Sequence, residues 1–223
     1  MKRVIQIKVC GLTEAKTAAA CAALKIEAVG LVFYPKSPRY LSDAQAEEIA
    51  AAVNRRAAVI GVFVDELADV ILKKAQRCGL TGVQLHGRET PAEVTQLKST
   101  GLTVIKALFQ KREPSFQSIS RYDPSAFLLE CGRGRLPGGT ARAWDWADAK
   151  AIAANAPVIL AGGLTPVNVG QAVRLGRPHA VDVSSGVETS PGKKDLAKIE
   201  AFVSAVAGIV PTPGDEKARR IFK

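Results

Sequence analysis

The stretch Ala180–Asp195, AVDVSSGVETSPGKKD, is an apolar run with a carboxylate, Asp182, at its mouth, passing directly into a turn of small residues. Ser184, Ser185 and Gly186 carry little bulk, so successive backbone N–H groups can converge on an anion at the start of a short helical turn. The segment reads as a phosphate cradle, with Asp182 facing whatever the phosphate anchors.

Working outward, seven more apolar runs precede it: Ile5 to Val9, Ala28 to Phe33, Ala58 to Val62, Gly82 to Leu85, Thr103 to Ala107, Ala126 to Leu129, and Val158 to Leu160. Between most of them lie Ala-rich segments with helix-start signals. Ser42-Asp43-Ala44-Gln45 and Thr90-Pro91-Ala92-Glu93 are capping boxes, and Thr165-Pro166 marks a third start. Gln110 to Pro124 is weakly helical and predicts a short or irregular helix. Eight strands alternating with helices in 223 residues favour a single (β/α)8 barrel over an open doubly wound sheet. The barrel is expected over residues 1–210, with 211–223, two prolines followed by alternating charges, as a frayed appendage.

Composition narrows the classes. The chain is 47% hydrophobic but only 5% aromatic, so its core is built from Ala, Val, Ile and Leu, a mix suited to parallel strands covered by helices. No apolar run approaches the roughly 18 residues of a membrane span, which points to a cytoplasmic protein. The four cysteines lack Cys-x-x-Cys spacing, so neither zinc nor a disulfide framework is expected. A net charge of +10 is spread along the chain without a basic stripe, and is read as a solvated surface attracting anionic metabolites.

In a barrel, function sits where strands end and the following loops begin. The polar residues gathered there are Cys10-Gly11, Arg39, Asp65, His86-Gly87, Lys106, Glu130, Gly162-Gly163 and Asp182 through Gly186. The last two loops are Gly- or Ser-rich and adjacent, which favours a phosphate shared between Gly162, Gly163, Ser184, Ser185 and Gly186.

KVCGLT from Lys8, GLVFYPKSPRYLS from Gly30, GVFVDE from Gly61, VQLHG from Val83, VIKA from Val104, FLLE from Phe127, PGGTARAWDW from Pro137, LAGGLTPVNV from Leu160 and VDVSSGVETSPGKKD from Val181 follow in order across the chain. In these stretches the sequence resembles the phosphoribosylanthranilate isomerase family of tryptophan biosynthesis. The resemblance implies an Amadori rearrangement of a ribosylated anthranilate, without cofactor or metal. It implies Cys10 as the base that removes a proton from the sugar, and Arg39 as the group that binds the anthranilate carboxylate. A thiol serves as a base when nearby positive charge lowers its ordinary pKa of about 8.5. Lys8 is read as facing the opposite side of the strand, and so not as the activator.

Two positions depart from the family pattern. Glu130 stands where the family has Asp as the general acid; its arm is longer by about 1.5 Å, although an enclosed pocket can raise a carboxyl's pKa toward neutrality. Ala141 stands where the family has Gly. Asp182 is expected either to orient the substrate's amine or hydroxyls or to pair with a lysine, His86 to shape the pocket, and Asp65 equally to be a helix cap. Three readings stay open: the isomerase, a non-catalytic sugar-phosphate-binding barrel that has lost its acid, and a nucleic-acid-binding protein. The isomerase implies a small phosphorylated substrate, neither nucleic acid nor membrane as partner, and a monomer or homodimer.

Overall fold

The computed structural model describes residues 5–132, 144–210 and 220–222. Parallel strands β1 (Gln6–Cys10), β2 (Ala28–Val32), β3 (Ala58–Phe63), β4 (Gly82–Leu85), β5 (Thr103–Phe109), β6 (Ala126–Glu130), β7 (Val158–Leu160) and β8 (Ala180–Val183) pair in chain order, and β8 returns to β1 to close the barrel. Helices α1 (Ala15–Ala23), α2 (Asp43–Val53), α3 (Ala68–Arg77), α4 (Pro91–Ser99), α5 (Ala149–Ala153), α6 (Val169–Gly176) and α7 (Leu196–Ala207) connect and cover it. A hairpin of β9 (Glu188–Ser190) and β10 (Lys193–Lys194) follows β8. This is the single (β/α)8 barrel expected from the sequence.

Both capping boxes form. Ser42 and Gln45 exchange bonds at the start of α2, and Thr90 and Glu93 do so at α4 with Pro91 as the first helical residue. The third start is displaced: Thr165 to Asn168 form a turn in which Asn168 Oδ1 accepts from the Thr165 amide, and α6 begins only at Val169. The segment between β5 and β6 contains a short 3₁₀ helix, Phe116–Arg121, as its weak periodicity foretold.

Strand alternation divides the core in two. Outward residues such as Ile7, Val9, Val29, Leu31, Val83 and Leu108 pack against the helices. Inward residues form a second cluster, and at the strand starts these are small: Ala28, Ala58, Ala126 and Ala180. Alanines cannot fill a barrel of this strand number. Two residues from the far end of the chain join them, Ile221 and Phe222, both buried. Gln6, inward at the start of β1, donates from Nε2 to the Phe222 carbonyl (2.9 Å) and accepts from the Ile221 (2.6 Å) and Phe222 (3.2 Å) amides.

The expectation of a frayed 211–223 therefore fails at Ile221 and Phe222, whose apolar side chains complete the barrel floor while one glutamine satisfies their backbone. Residues 211–219 and 223 lie outside the described residues. Phe222→Ala should empty the floor and lower the unfolding free energy by about 3–5 kcal/mol, read as a lower denaturant midpoint with an unchanged slope. A midpoint equal to the parent's would mean that the floor does not depend on Phe222.

Candidate active site

Alternation that brings Gln6 to the floor carries Cys10 to the opposite mouth of the same strand. There the strand ends and their loops enclose about 820 Å³ of empty space, open mouth included. Ten of the strand-end residues read from the sequence line it: Cys10 from β1, Arg39 from the loop after β2, His86 after β4, Glu130 from β6, Gly162 and Gly163 after β7, and Asp182, Ser184, Ser185 and Gly186 at the end of β8.

Cys10 is buried and does not stand alone on its strand. Lys8, two residues earlier, shares its inward face, so the expectation that Lys8 turns away is wrong: strand period two puts i and i+2 together. The Lys8 Nζ donates to Asp182 Oδ1 at 3.0 Å across the β1–β8 seam, where the two residues are register partners. Burial works against the Lys8 ammonium, but Asp182 and Cys10 more than offset it and hold its pKa above the ordinary lysine value. Burial pushes the Cys10 thiol up; Lys8 and Lys194 pull it down, and Asp182 adds to the rise.

Glu130 is buried on the far side of the pocket. Its Oε1 lies 3.4 Å from His86 Nε2, longer than a formed hydrogen bond. His86 Nδ1 pairs at 2.9 Å with Gln84 Nε2; with the amide so oriented, Nδ1 accepts and the ring proton sits on Nε2, toward Glu130. Gln84 Oε1 and His86 Nε2 are buried polar atoms without a hydrogen-bond partner among the described residues, and both residues line the pocket. Ala141 lies outside the described residues.

Arg39 is held more tightly than a loop arginine. Its Nε and Nη2 donate to the two carboxylate oxygens of Glu188 at 2.8 and 2.6 Å, and its stem crosses Gly11, where a Cβ would lie 2.3 Å from Arg39 Cδ. Glu188 also accepts from Lys194 Nζ at 2.6 Å, and Lys194 in turn donates to the Ser184 carbonyl at 3.1 Å. One carboxylate thus joins the Arg39 loop to the turn after β8.

The two small-residue loops meet at their backbones. Gly162 and Gly163 have positive φ, and a Cβ on Gly186 would fall 1.9 Å from the Leu164 carbonyl oxygen. Only a residue without a side chain permits that approach. Trp144 Nε1 donates to the Ala161 carbonyl at 2.8 Å and braces the β7 loop. Asp65 caps no helix; it accepts from the Arg88 amide at 2.5 Å, while its own amide donates to Glu89. Lys106 faces away from the pocket, into an ion pair with Glu89 at 2.6 Å.

Residues 7–205 match the family model described as N-(5'phosphoribosyl)anthranilate (PRA) isomerase. The chain is 46% identical over 218 residues to N-(5'-phosphoribosyl)anthranilate isomerase from Desulfatibacillum aliphaticivorans, covering 98% of this chain and 99% of that relative. The chain belongs to the phosphoribosylanthranilate isomerase family. The crystal structure of phosphoribosyl anthranilate isomerase from Thermotoga maritima superimposes with a TM-score of 0.82 at 34% identity, covering 92% of this chain and 99% of that one. A phosphoribosyl anthranilate isomerase in complex with reduced 1-(o-carboxyphenylamino)-1-deoxyribulose 5-phosphate matches with a TM-score of 0.80 at 34% identity, over 92% of this chain and 99% of that one.

In this phosphoribosylanthranilate isomerase family member, sequence reasoning missed Lys8, Gln84, Glu188 and Lys194. The first two carried a signal, since each lies on a strand two residues before a site residue, Lys8 before Cys10 within β1 and Gln84 before His86 just past the end of β4. Glu188 and Lys194 carried none in the strand pattern, because Glu188 holds Arg39 from far along the chain and Lys194 acts through Glu188.

The Glu188 ion pairs have a pH consequence. Burial pushes its carboxyl up, but bonds and charge from Arg39 and Lys194 override that and leave it below the ordinary glutamate value. A carboxyl depressed in the folded state contributes stability that is complete above its unfolded pKa of about 4.3 and is lost as pH falls through the lower folded value. The difference in unfolding free energy between the parent and Glu188→Gln should be constant above about pH 5 and shrink below about pH 4. Unfolding titrations across pH 3–7 check this; a difference that does not vary with pH would contradict it.

Proposed function

We infer that the chain catalyses the isomerisation of N-(5'-phosphoribosyl)anthranilate to 1-(2-carboxyphenylamino)-1-deoxyribulose 5-phosphate in tryptophan biosynthesis. The observation that carries the reading is the convergence, in one pocket, of a thiol on β1, a carboxyl on β6, a tethered arginine, and two backbone loops fit for a phosphate. A relative of the same fold that holds a reduced form of the product supports the same ligand class.

In this reading the phosphate lies between the β7 and β8 loops, taking amides of Gly162, Gly163, Ser185 and Gly186, with Ser184 shaping the turn. The anthranilate carboxylate meets Arg39 on the edge that Glu188 leaves open, since Glu188 occupies Nε and one hydrogen of Nη2. The ribose then spans the pocket between Cys10 and Glu130. Glu130 delivers a proton to the furanose oxygen, the C1'–O bond breaks, and the anthranilate nitrogen's electron pair forms the iminium. Cys10, as thiolate, removes the proton from C2'; its electrons neutralise the iminium and give the enolamine, which tautomerises to the ketone.

Asp182 orients the substrate amine or hydroxyls from the β8 end, and the unpartnered atoms of Gln84 and His86 pair with polar substrate groups. The pocket holds both a carboxyl and a thiol suited to these roles, and no observation favours the non-catalytic barrel.

The roles are separable by substitution. Cys10→Ala should remove nearly all turnover while affinity for a reduced product analogue stays within a few-fold, because a proton-transfer group contributes in the transition state. Turnover close to the parent's would refute the base. Glu130→Gln should lower kcat by about 10²–10⁴, whereas Glu130→Asp keeps substantial activity; equal activity in all three forms would refute the acid.

A further inference from the structure

Among the largest wholly buried side chains is a lysine, Lys8. Burying an ammonium costs several kcal/mol unless it is paired, and an apolar side chain of similar volume serves stability as well. Asp182 Oδ1, at 3.0 Å, takes only one of its three donors. The neighbouring strand shows where another is directed. A Cβ on Gly30 of β2 would fall 2.7 Å from Cys10 Sγ and 3.1 Å from Lys8 Nζ, so thiol and ammonium share the space left by that glycine. Three adjacent strands thereby supply a carboxylate, an ammonium with a thiol, and the room for them to meet.

We propose that Lys8 is the positioning residue that readies Cys10 for proton abstraction: its ammonium stabilises the thiolate, and Asp182 both anchors that ammonium and tempers its effect. The proposal rests on Cys10 being the base. Among the described residues the charges around Cys10 are few. Lys8 lies on its own strand, Asp182 comes from β8 and Lys194 from β10; Arg39 crosses the adjoining Gly11, and His86 and Glu130 line the same pocket from the end of β4 and from β6, while β2 offers no charge, only Gly30 and Val32. Arg39 and Lys194 are both engaged by Glu188, whereas the Lys8 ammonium and the Cys10 thiol meet in the space over Gly30.

The test is the pH dependence of Cys10 alkylation by iodoacetamide, followed on the Cys10 peptide by mass spectrometry, alongside the pH profile of kcat/KM. Lys8→Met should move the alkylation midpoint up by about one pH unit or more, and Asp182→Asn should move it down. A purely structural role cannot produce opposite signs. If Lys8→Met does not fold, the Lys8→Met/Asp182→Asn double is compared with Asp182→Asn; neither buries an unpaired carboxylate, and the same upward move is expected on loss of Lys8. A midpoint indifferent to Lys8 overturns the proposal whatever happens to activity. A midpoint that moves while the kcat/KM profile does not would instead show that the Cys10 thiolate is not the base, and would remove the reading on which the proposal stands.

Discussion

A barrel of parallel strands closes only when the last lies against the first, and the register of that closure sets Lys8 opposite Asp182. An ammonium and a carboxylate are thereby held together inside the barrel, 3.0 Å apart across the seam. Removing one partner of such a pair leaves an uncompensated buried charge and costs about 3–5 kcal/mol. Barrel closure and the electrostatics of the pocket are therefore one constraint. The interior is graded along its axis: an alanine floor filled by Phe222, then the lysine, then the thiol at the mouth.

Glu188 imposes a second constraint outside the strands. Because its carboxylate accepts from Arg39 and Lys194 together, the loop after β2 and the turn after β8 cannot shift independently. The backbone contact at Gly186 adds the loop after β7 to the same body. Three segments, one of them more than a hundred residues from the other two, present one wall whose donors are set before a ligand arrives. Such preorganisation reduces what binding must spend on ordering.

The alternation of apolar runs with capped helices made the barrel legible: every strand starts within one residue of its sequence expectation, because burial on both faces leaves each run continuous and β-branched residues bounded by turn signals. Strand ends were less sharp, since Cys10, Phe109 and Glu130, each past the end read from the sequence, are still paired into the sheet. The site residues quoted from family stretches all reach one pocket, yet their supports did not show. Lys8 shares the inward face of Cys10 through the strand's period of two, and Glu188 acts on a partner far along the chain. The tail misled because local composition favours disorder, while its two apolar residues answer a vacancy that only the closed barrel creates.

That vacancy ties together positions that share no segment. Ala28, Ala58, Ala126, Ala180 and Phe222 occupy one interior volume, so none can change size alone. A methyl group added at Ala126 has to be accommodated by a smaller residue at 222, and a variant that shortens 222 leaves room for a valine at one of the alanines. Among barrels of this design, the size of the residue at 222 and the bulk of those four strand starts should vary in opposite directions, a mark of the plug that can be read from sequences alone.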